Sequence, residues 1–240
     1  MSGASPRGAA SEQEAAAWVR DMFGRVAPRY DLLNHVLSFN IDKLWRKRTV
    51  KRLQPVLDRP DAVVLDLCCG TGDLMLALRA QAKARVLGSD FCHPMLTAAM
   101  VKAGAGSPFF EADALHLPAR DRSLDAITVA FGFRNLANYE SGLIELRRAL
   151  KPGGVAAILE FSTPPNAAFN ALYGFYSKNI LPRVGGMLSG ASDAYRYLPE
   201  SVRRFPDADG LAGKMSAAGF RNVTYERMTF GIVALHTGEA

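Results

Sequence analysis

Four aspartates in the first half of the chain stand at or beside the ends of apolar runs. "LDLCCGTGDL" (65–74) carries Asp66 inside a run and Asp73 just after two glycines. Gly70 and Gly72 lack a Cβ, so the backbone there can turn sharply and approach a ligand. The N–H groups that open the following helix then point at that ligand. Asp90 closes the next apolar run, "ARVLGSD", about 20 residues on, where a carboxylate can accept both hydroxyls of a ribose. Asp113, followed by Ala114, closes "PFFEAD". Two cofactor classes share such a layout. A dinucleotide wants a third glycine for its pyrophosphate, but Met75 holds that position and Asp73 would repel phosphate. S-adenosylmethionine has no phosphate and carries an ammonium and a sulfonium. Asp66 and Asp73 suit that cation, and Asp113 suits the adenine amine. The reading favours the methyl donor, bound by Asp66, Gly70, Thr71, Gly72, Asp73, Asp90, Asp113 and Ala114. Any one acid alone could instead cap a helix.

A second chemical signature is "AFGFRN" (130–135), where an apolar strand ends in Arg134-Asn135. A cation and an amide at that point can start the next helix, with Asn135 or Asn138 as its cap. They can also face the transferred group, since open α/β sheets bind ligands at the carboxyl ends of their strands.

The elements that must position these residues alternate. Apolar runs at 62–67, 84–90, 108–113, 124–131 and 155–161 predict strands, and the first as a continuous run reads as buried on both faces. Helices are expected over 72–81, 94–104 and 139–150, with "KPGG" (151–154) as a turn. "GFRNVTYERM" and "GIVALHTG" predict a final antiparallel pair. The fold class is therefore α/β: a doubly wound, mainly parallel seven-stranded sheet. Residues 1–10 are expected to be disordered and 11–240 to form one domain. Within it, 11–57 are N-terminal helices and 162–210 a cap inserted over the strand ends.

The 240 residues are 49% hydrophobic and 22% charged, as in a globular chain with a real core. A net charge of +6 fits an anionic substrate, a membrane surface or nucleic acid. No run is long and apolar enough to span a bilayer, and no secretory layout opens the chain. Cys68 and Cys69 are neighbours and Cys92 makes the count odd, so a disulfide framework is not expected. The two neighbours read as small residues at a tight turn, with no metal site. A cytoplasmic location is the default.

Longer phrases narrow the reading. "YDLLNHVLSFNIDKLWRKR" (30–48), "LDLCCGTGDL", "AFGFRNLANY", "LKPGGVAAILEFSTP" (150–164), "YRYLPESVRRFPD" (195–207) and "GIVALHTG" (231–238) resemble, in order, the ubiquinone/menaquinone biosynthesis C-methyltransferase family (UbiE/MenG type). The resemblance implies the class I S-adenosylmethionine-dependent methyltransferase fold. It also implies methyl transfer to a ring carbon of a prenylated demethylquinol, demethylmenaquinol in the reading preferred here. The benzoquinol of ubiquinone biosynthesis, or another small phenolic lipid, is the alternative. Rivals of other kinds are an RNA methyltransferase, which "FGFRN" argues against, and a non-catalytic scaffold subunit, which the intact loop acids argue against. The expected catalytic residues are Arg134, as a positive field, Asn135, as a donor to the quinol oxygen, and Tyr30, closing over the ring or relaying a proton. The expected partners are the lipophilic quinol and a membrane surface touched peripherally at its inner face. No nucleic acid is expected, and a homodimer is allowed. Residues 169–188 are expected to line a groove for the prenyl tail. "DKLWRKRTVKRL" (42–53), with Trp45 among six Lys/Arg, could lie on anionic headgroups or be a plain solvated face. The chain departs from the family pattern at Leu33, in place of methionine, and at Asp42, in place of histidine. At Asp42 an exposed helix-start role is expected.

Overall fold

The computed structural model describes residues 3–6, 8–104, 106–176, 179 and 192–240. Three helices come first: α1 (Glu12–Val26), α2 (Tyr30–Leu37) and α3 (Ile41–Leu57). Ser11 starts α1 by accepting the Glu14 N–H, while the Glu14 carboxylate takes the Ala10 N–H. Exchanges of this kind satisfy the orphan donors of a first turn. Then β1 (Val63–Leu67), α4 (Asp73–Arg79), β2 (Arg85–Asp90), α5 (His93–Ala103), β3 (Phe109–Glu111), β4 (Leu124–Ala130), α6 (Tyr139–Ala149) and β5 (Leu150–Phe161) alternate as expected. The rest is α7 (Ala167–Phe175), α8 (Ser192–Arg204), α9 (Ala208–Ala217), β6 (Arg221–Met228) and β7 (Val233–Glu239).

Seven strands form one sheet in the order β3-β2-β1-β4-β5-β7-β6. β1 to β5 pair in parallel, and β7 runs antiparallel to both β5 and β6. The chain leaves β1 toward one edge and β4 toward the other, so a crevice opens past their carboxyl ends. Alternate side chains serve opposite faces. Leu65, Leu67, Ile127 and Val129 pack with α6 and α9 on one side. Val64 and Ala126 pack with α3 and α4 on the other.

Three expectations change. "KPGG" is not a free turn but lies within β5. Leu124 pairs with Leu150 and Ala126 with Val155, so the extra residues bulge out, with Gly153 at φ 78°. β3 is shorter than predicted, which leaves Asp113 in the loop beyond it. The N-terminus is not wholly loose: Ala4 is buried and its N–H donates to the Leu136 carbonyl at 2.7 Å. Of the expected cap, α7, α8 and the start of α9 are described. Much of 169–188 lies outside the described residues.

One glycine decides how the two site loops meet. A Cβ on Gly132 would stand 2.4 Å from the Cβ of Cys68, so only glycine lets the turn after β4 lie against the loop after β1. Gly132→Ala should therefore cost about 1–3 kcal/mol of stability in urea unfolding. An unchanged midpoint would show that the two loops can separate freely.

Candidate active site

The loop after β1 is held against the end of β2. The Cys69 N–H donates to the Ser89 carbonyl at 2.9 Å, and the Gly70 N–H to Asp90 Oδ2 at 2.9 Å. Gly72 adopts φ 84°, and a Cβ there would press on the Phe109 ring at 3.2 Å. Cys68 and Cys69 serve as small residues of the turn. Burial, then the neighbouring acids, pushes both thiols well up, so neither is a ready thiolate.

Asp66 lies inside β1 with 1% exposure. Its Oδ1 accepts from the Thr128 hydroxyl at 2.6 Å, and its buried Oδ2 has no partner among the described residues. Burial pushes its carboxyl up to about 7, against the pull of Thr128 and Arg46. Asp90 ends β2 and takes two backbone donors, Gly70 and Cys92, yet burial still raises it to about 6. Asp113 is exposed beyond β3 and accepts the Leu115 N–H, with Ala114 buried beside it. Together with residues 68–71 and Asp73 of the loop, these acids line one cavity of about 1340 Å³, whereas Gly72 does not line it.

The N-terminal helices close over that cavity. Asp31 of α2 accepts a short hydrogen bond from the Thr71 hydroxyl, and Lys102 of α5 bridges Asp31 at 2.6 Å and Asp73. Arg46 of α3 reaches Asp73 at 3.3 Å and also pairs with Asp42. Asp73 is thus already matched by two cations, whereas Asp66 has no ion-pair partner among the described residues. Sequence reading missed Asp31, Arg46 and Lys102. All three lie far from the glycine loop in sequence and meet it only through tertiary packing.

Asp42 is not an exposed helix-start residue. It does sit in the first turn of α3, but it is buried and accepts from Ser38 Oγ at 2.6 Å, with His35 Nδ1 at 2.9 Å and Arg46 beside it. Burial would raise its carboxyl, but those three partners outweigh burial and hold it below the ordinary range. His35, Asp42 and Asp73 bring ligand-type atoms within 4.8 Å of one another. Arg46 reaches both acids, which makes the group an ion-pair network.

On the other side of the cavity, the turn 133–135 carries Arg134 and Asn135, both buried. The cap of α6 is Asn138, which accepts the Ser141 N–H at 3.0 Å, so Asn135 is not needed for that role. Arg134 is less available than the sequence suggested. Its Nη1 donates to Glu160 Oε1 at 2.8 Å and to the Phe131 carbonyl at 2.5 Å, and its backbone N–H donates to Glu160 Oε2 at 3.2 Å. Glu160, 1% exposed and unassigned from sequence, offsets the guanidinium charge. Asn135 Oδ1 accepts from the Tyr197 hydroxyl of α8 at 3.2 Å, while its Nδ2 has only a 3.5 Å contact to the Phe131 carbonyl. That amide NH₂ retains donor capacity toward the cavity. Tyr30 also lines the cavity. Burial raises its phenol, Arg134 and Asn34 notwithstanding, so it is a neutral hydroxyl at pH 7 and not a base.

The glycine loop, Asp66 and Asp90 in the two strands around it, and Asp113 beyond β3 line one cavity at the carboxyl ends of the sheet, the layout expected for S-adenosylmethionine. The sequence matches the model of the ubiE/COQ5 methyltransferase family over residues 9–240, and the chain belongs to that family. A demethylmenaquinone methyltransferase of Thermus thermophilus is 50% identical over 91% of this chain and 99% of that one. A second, of Deinococcus radiodurans, is 44% identical over 95% of each chain. The ubiquinone/menaquinone biosynthesis C-methyltransferase UbiE of Geotalea daltonii is 42% identical over 92% of this chain and 95% of that one. Among solved structures, a SAM-dependent methyltransferase of Thermotoga maritima superposes with TM-score 0.65 at 17% identity, covering 91% of this chain and 98% of that one. The [4+2]-cyclase SpnF superposes with 0.66 at 17% identity, covering 100% and 98%. The last pair shows why the fold alone does not give the reaction.

The raised carboxyl of Asp66 predicts a pH signature. Its folded pKa, about 7, lies above the ordinary 3.8, so its favourable contribution is complete below pH 3.8 and lost as pH rises through about 7. Asp66→Asn, which cannot ionise, should therefore gain stability relative to the wild type between pH 5 and pH 8, read by thermal unfolding without cofactor. A constant difference across that range would mean that Asp66 is ionised throughout.

Proposed function

We propose that this methyltransferase transfers the methyl group of S-adenosylmethionine to a ring carbon of prenylated demethylmenaquinol. The observation that carries the reading is a single cavity of about 1340 Å³ with the cofactor acids on one wall and Tyr30, Asn135 and an aromatic wall on the other. Pockets for one drug-sized ligand run to about 300–1000 Å³, so this one has room for a cofactor and an aromatic substrate together. Phe131, Phe161, Tyr173 and Tyr176 also line it, as an apolar ring and tail require. The names of the relatives at 50% and 44% identity support demethylmenaquinol over the benzoquinol.

The cofactor supplies a methyl group already activated by its sulfonium. In this reading Asp66 takes the ammonium, the backbone at Gly70 and Thr71 lies against the amino-acid portion, Asp90 takes the ribose and Asp113-Ala114 the adenine. Asp73 contributes through its ion pairs to the shape of the loop. What remains for the protein is to make the ring carbon nucleophilic and hold it about 3–3.5 Å from the methyl group. A quinol oxygen that accepts hydrogen bonds gives up its proton more readily, because donors favour the anion. Asn135 Nδ2 and the Tyr30 hydroxyl are the donors in reach of such an oxygen. Arg134, offset by Glu160, holds the turn that carries Asn135 and adds a residual positive field. The Tyr197 hydroxyl fixes which way the Asn135 amide faces, so it is a positioning residue.

Incubation with labelled S-adenosylmethionine and each reduced quinol should put label into demethylmenaquinol in preference to the benzoquinol. Label in the benzoquinol alone would overturn the assignment. Asn135→Ala should bind the cofactor normally yet lose turnover by at least about tenfold, roughly 1.4 kcal/mol in the barrier. Tyr197→Phe should lose about three- to tenfold, the worth of one hydrogen bond, and nothing further in an Asn135→Ala background. Full turnover in Asn135→Ala would remove the amide from the mechanism. Arg134→Ala is the poorer test, because it leaves Glu160 buried and unpaired, which typically costs about 3–5 kcal/mol.

A further inference from the structure

Six large apolar side chains stand bare on elements that wall the cavity, Leu32, Val36, Phe39, Leu44, Phe175 and Phe230, and two of them, Phe39 and Phe175, also line it. Phe39 is 75% exposed and Phe230 is 78% exposed. Neither exposure is a by-product of an ordinary loop. Phe39 and Asn40 take φ 53° and 60° between α2 and α3, and Thr229 and Phe230 take 49° and 56° between β6 and β7. Bulky residues rarely occupy that region. Here two separate turns adopt it with a phenylalanine outermost. The turns belong to one rim. Trp45 Nε1 donates to Thr229 Oγ1 at 2.8 Å, fastening the start of α3 to the 229–231 turn. The Phe230 ring packs on Phe169 of α7 at 5.1 Å, and the Tyr176 hydroxyl beyond α7 donates to the Leu37 carbonyl at the end of α2 at 3.2 Å. Phe39 and Phe175 belong to both the patch and the cavity lining, and Trp45 and Thr229, next to Leu44 and Phe230 in sequence, also line the cavity, so the two are continuous.

Cations flank the patch. Lys43, Lys47 and Lys51 recur every four residues along one exposed stripe of α3, beside Leu44, and none has an ion-pair partner among the described residues. Arg48, between them, is occupied by Glu226 at 2.8 Å. Apolar rings beside a stripe of free ammonium groups match the interface of an anionic bilayer, where rings enter the acyl boundary and lysines meet phosphates. The part that the sequence offered to Trp45 is not Trp45's to play, because its indole is buried.

We propose that this rim docks on an anionic lipid surface, with Phe39, Leu44 and Phe230 inserted and Lys43, Lys47 and Lys51 over the headgroups. The proposal rests on the quinol reading only for what the docking delivers: a prenylated ring passes from the bilayer into the cavity without crossing water.

The test uses the full chain and vesicles of phosphatidylcholine with or without phosphatidylglycerol. Wild type should sediment with the anionic vesicles and be released by high salt, since exposed charges are screened. Leu44→Gln/Phe230→Asn and Lys43→Gln/Lys47→Gln/Lys51→Gln should each bind at least about tenfold more weakly. Asn tolerates positive φ, so the first variant should keep its melting temperature; the second alters only solvated side chains and carries the test if the first does not fold. Both should methylate a short-tailed, water-soluble quinol at the wild-type rate, and lose rate on a long-tailed quinol held in vesicles. Failure of every protein to label the short-tailed quinol would count against the quinol reading while leaving vesicle binding as an independent result. Absence of wild-type binding to anionic vesicles, or equal binding by all three proteins, would overturn the docking face. So would a wild-type dimer in sedimentation velocity that Leu44→Gln/Phe230→Asn splits, because the rim would then belong to a second copy.

Discussion

The buried ion pair of Arg134 and Glu160 ties the end of β4 to the end of β5, and the wall of the cavity that carries Asn135 is arranged around it. Glu160 receives the side chain and the backbone N–H of Arg134, and also the Phe161 N–H at 2.9 Å. The guanidinium lies over the Phe161 ring at 5.2 Å and donates to the Phe131 carbonyl. An arginine taken this far from water needs a countercharge, and Glu160 supplies it, although the buried Nε has no partner among the described residues. Those bonds fix the turn after β4, and the turn fixes Asn135. Through Tyr197, whose ring packs on Trp18 at 5.0 Å, Asn135 is joined to both α8 and α1. The ion pair therefore specifies geometry more than it supplies free charge.

The cofactor side is built on a different balance. Asp73 and Asp31 are matched by Lys102 and Arg46, and these pairs draw α2, α3 and α5 onto the glycine loop. Asp66 keeps a buried oxygen with no hydrogen-bond partner among the described residues. Such an atom costs stability in the unliganded protein, and a bound ammonium would return it. Matched acids set the shape of the loop, and in the proposed reading Asp66 is the acid kept for the ligand.

The sheet was legible because its strands are apolar runs separated by helical stretches of ordinary length, and each local signal agrees with the global fold. The glycine loop and Asp90 were legible for the same reason, since they occur in one local unit. The partners were not. Glu160 follows Arg134 by 26 residues, Lys102 follows Asp73 by 29 and Tyr197 follows Asn135 by 62. A single sequence carries no signal that such pairs meet. Trp45 and Asp42 were misplaced because charged neighbours along the chain made α3 look wholly solvated, whereas its inner face packs against the sheet.

Asp42 also bears on how far the family pattern can be bent. The resemblance leads to histidine at this position, yet a carboxylate here is surrounded by donors only: the Ser38 hydroxyl, the His35 ring and the Arg46 guanidinium. A neutral histidine could accept one of these; a carboxylate accepts all three. The aspartate is therefore consistent with its own surroundings and needs no compensation elsewhere. By holding Arg46, it places a guanidinium between Asp73 and the Phe131 ring, 5.9 Å from the ring centre. The departure adds a negative charge, but that charge is taken up within the network by the cation that links the glycine loop to the Phe131 ring. The donors facing the cavity, Asn135 and Tyr30, keep their places.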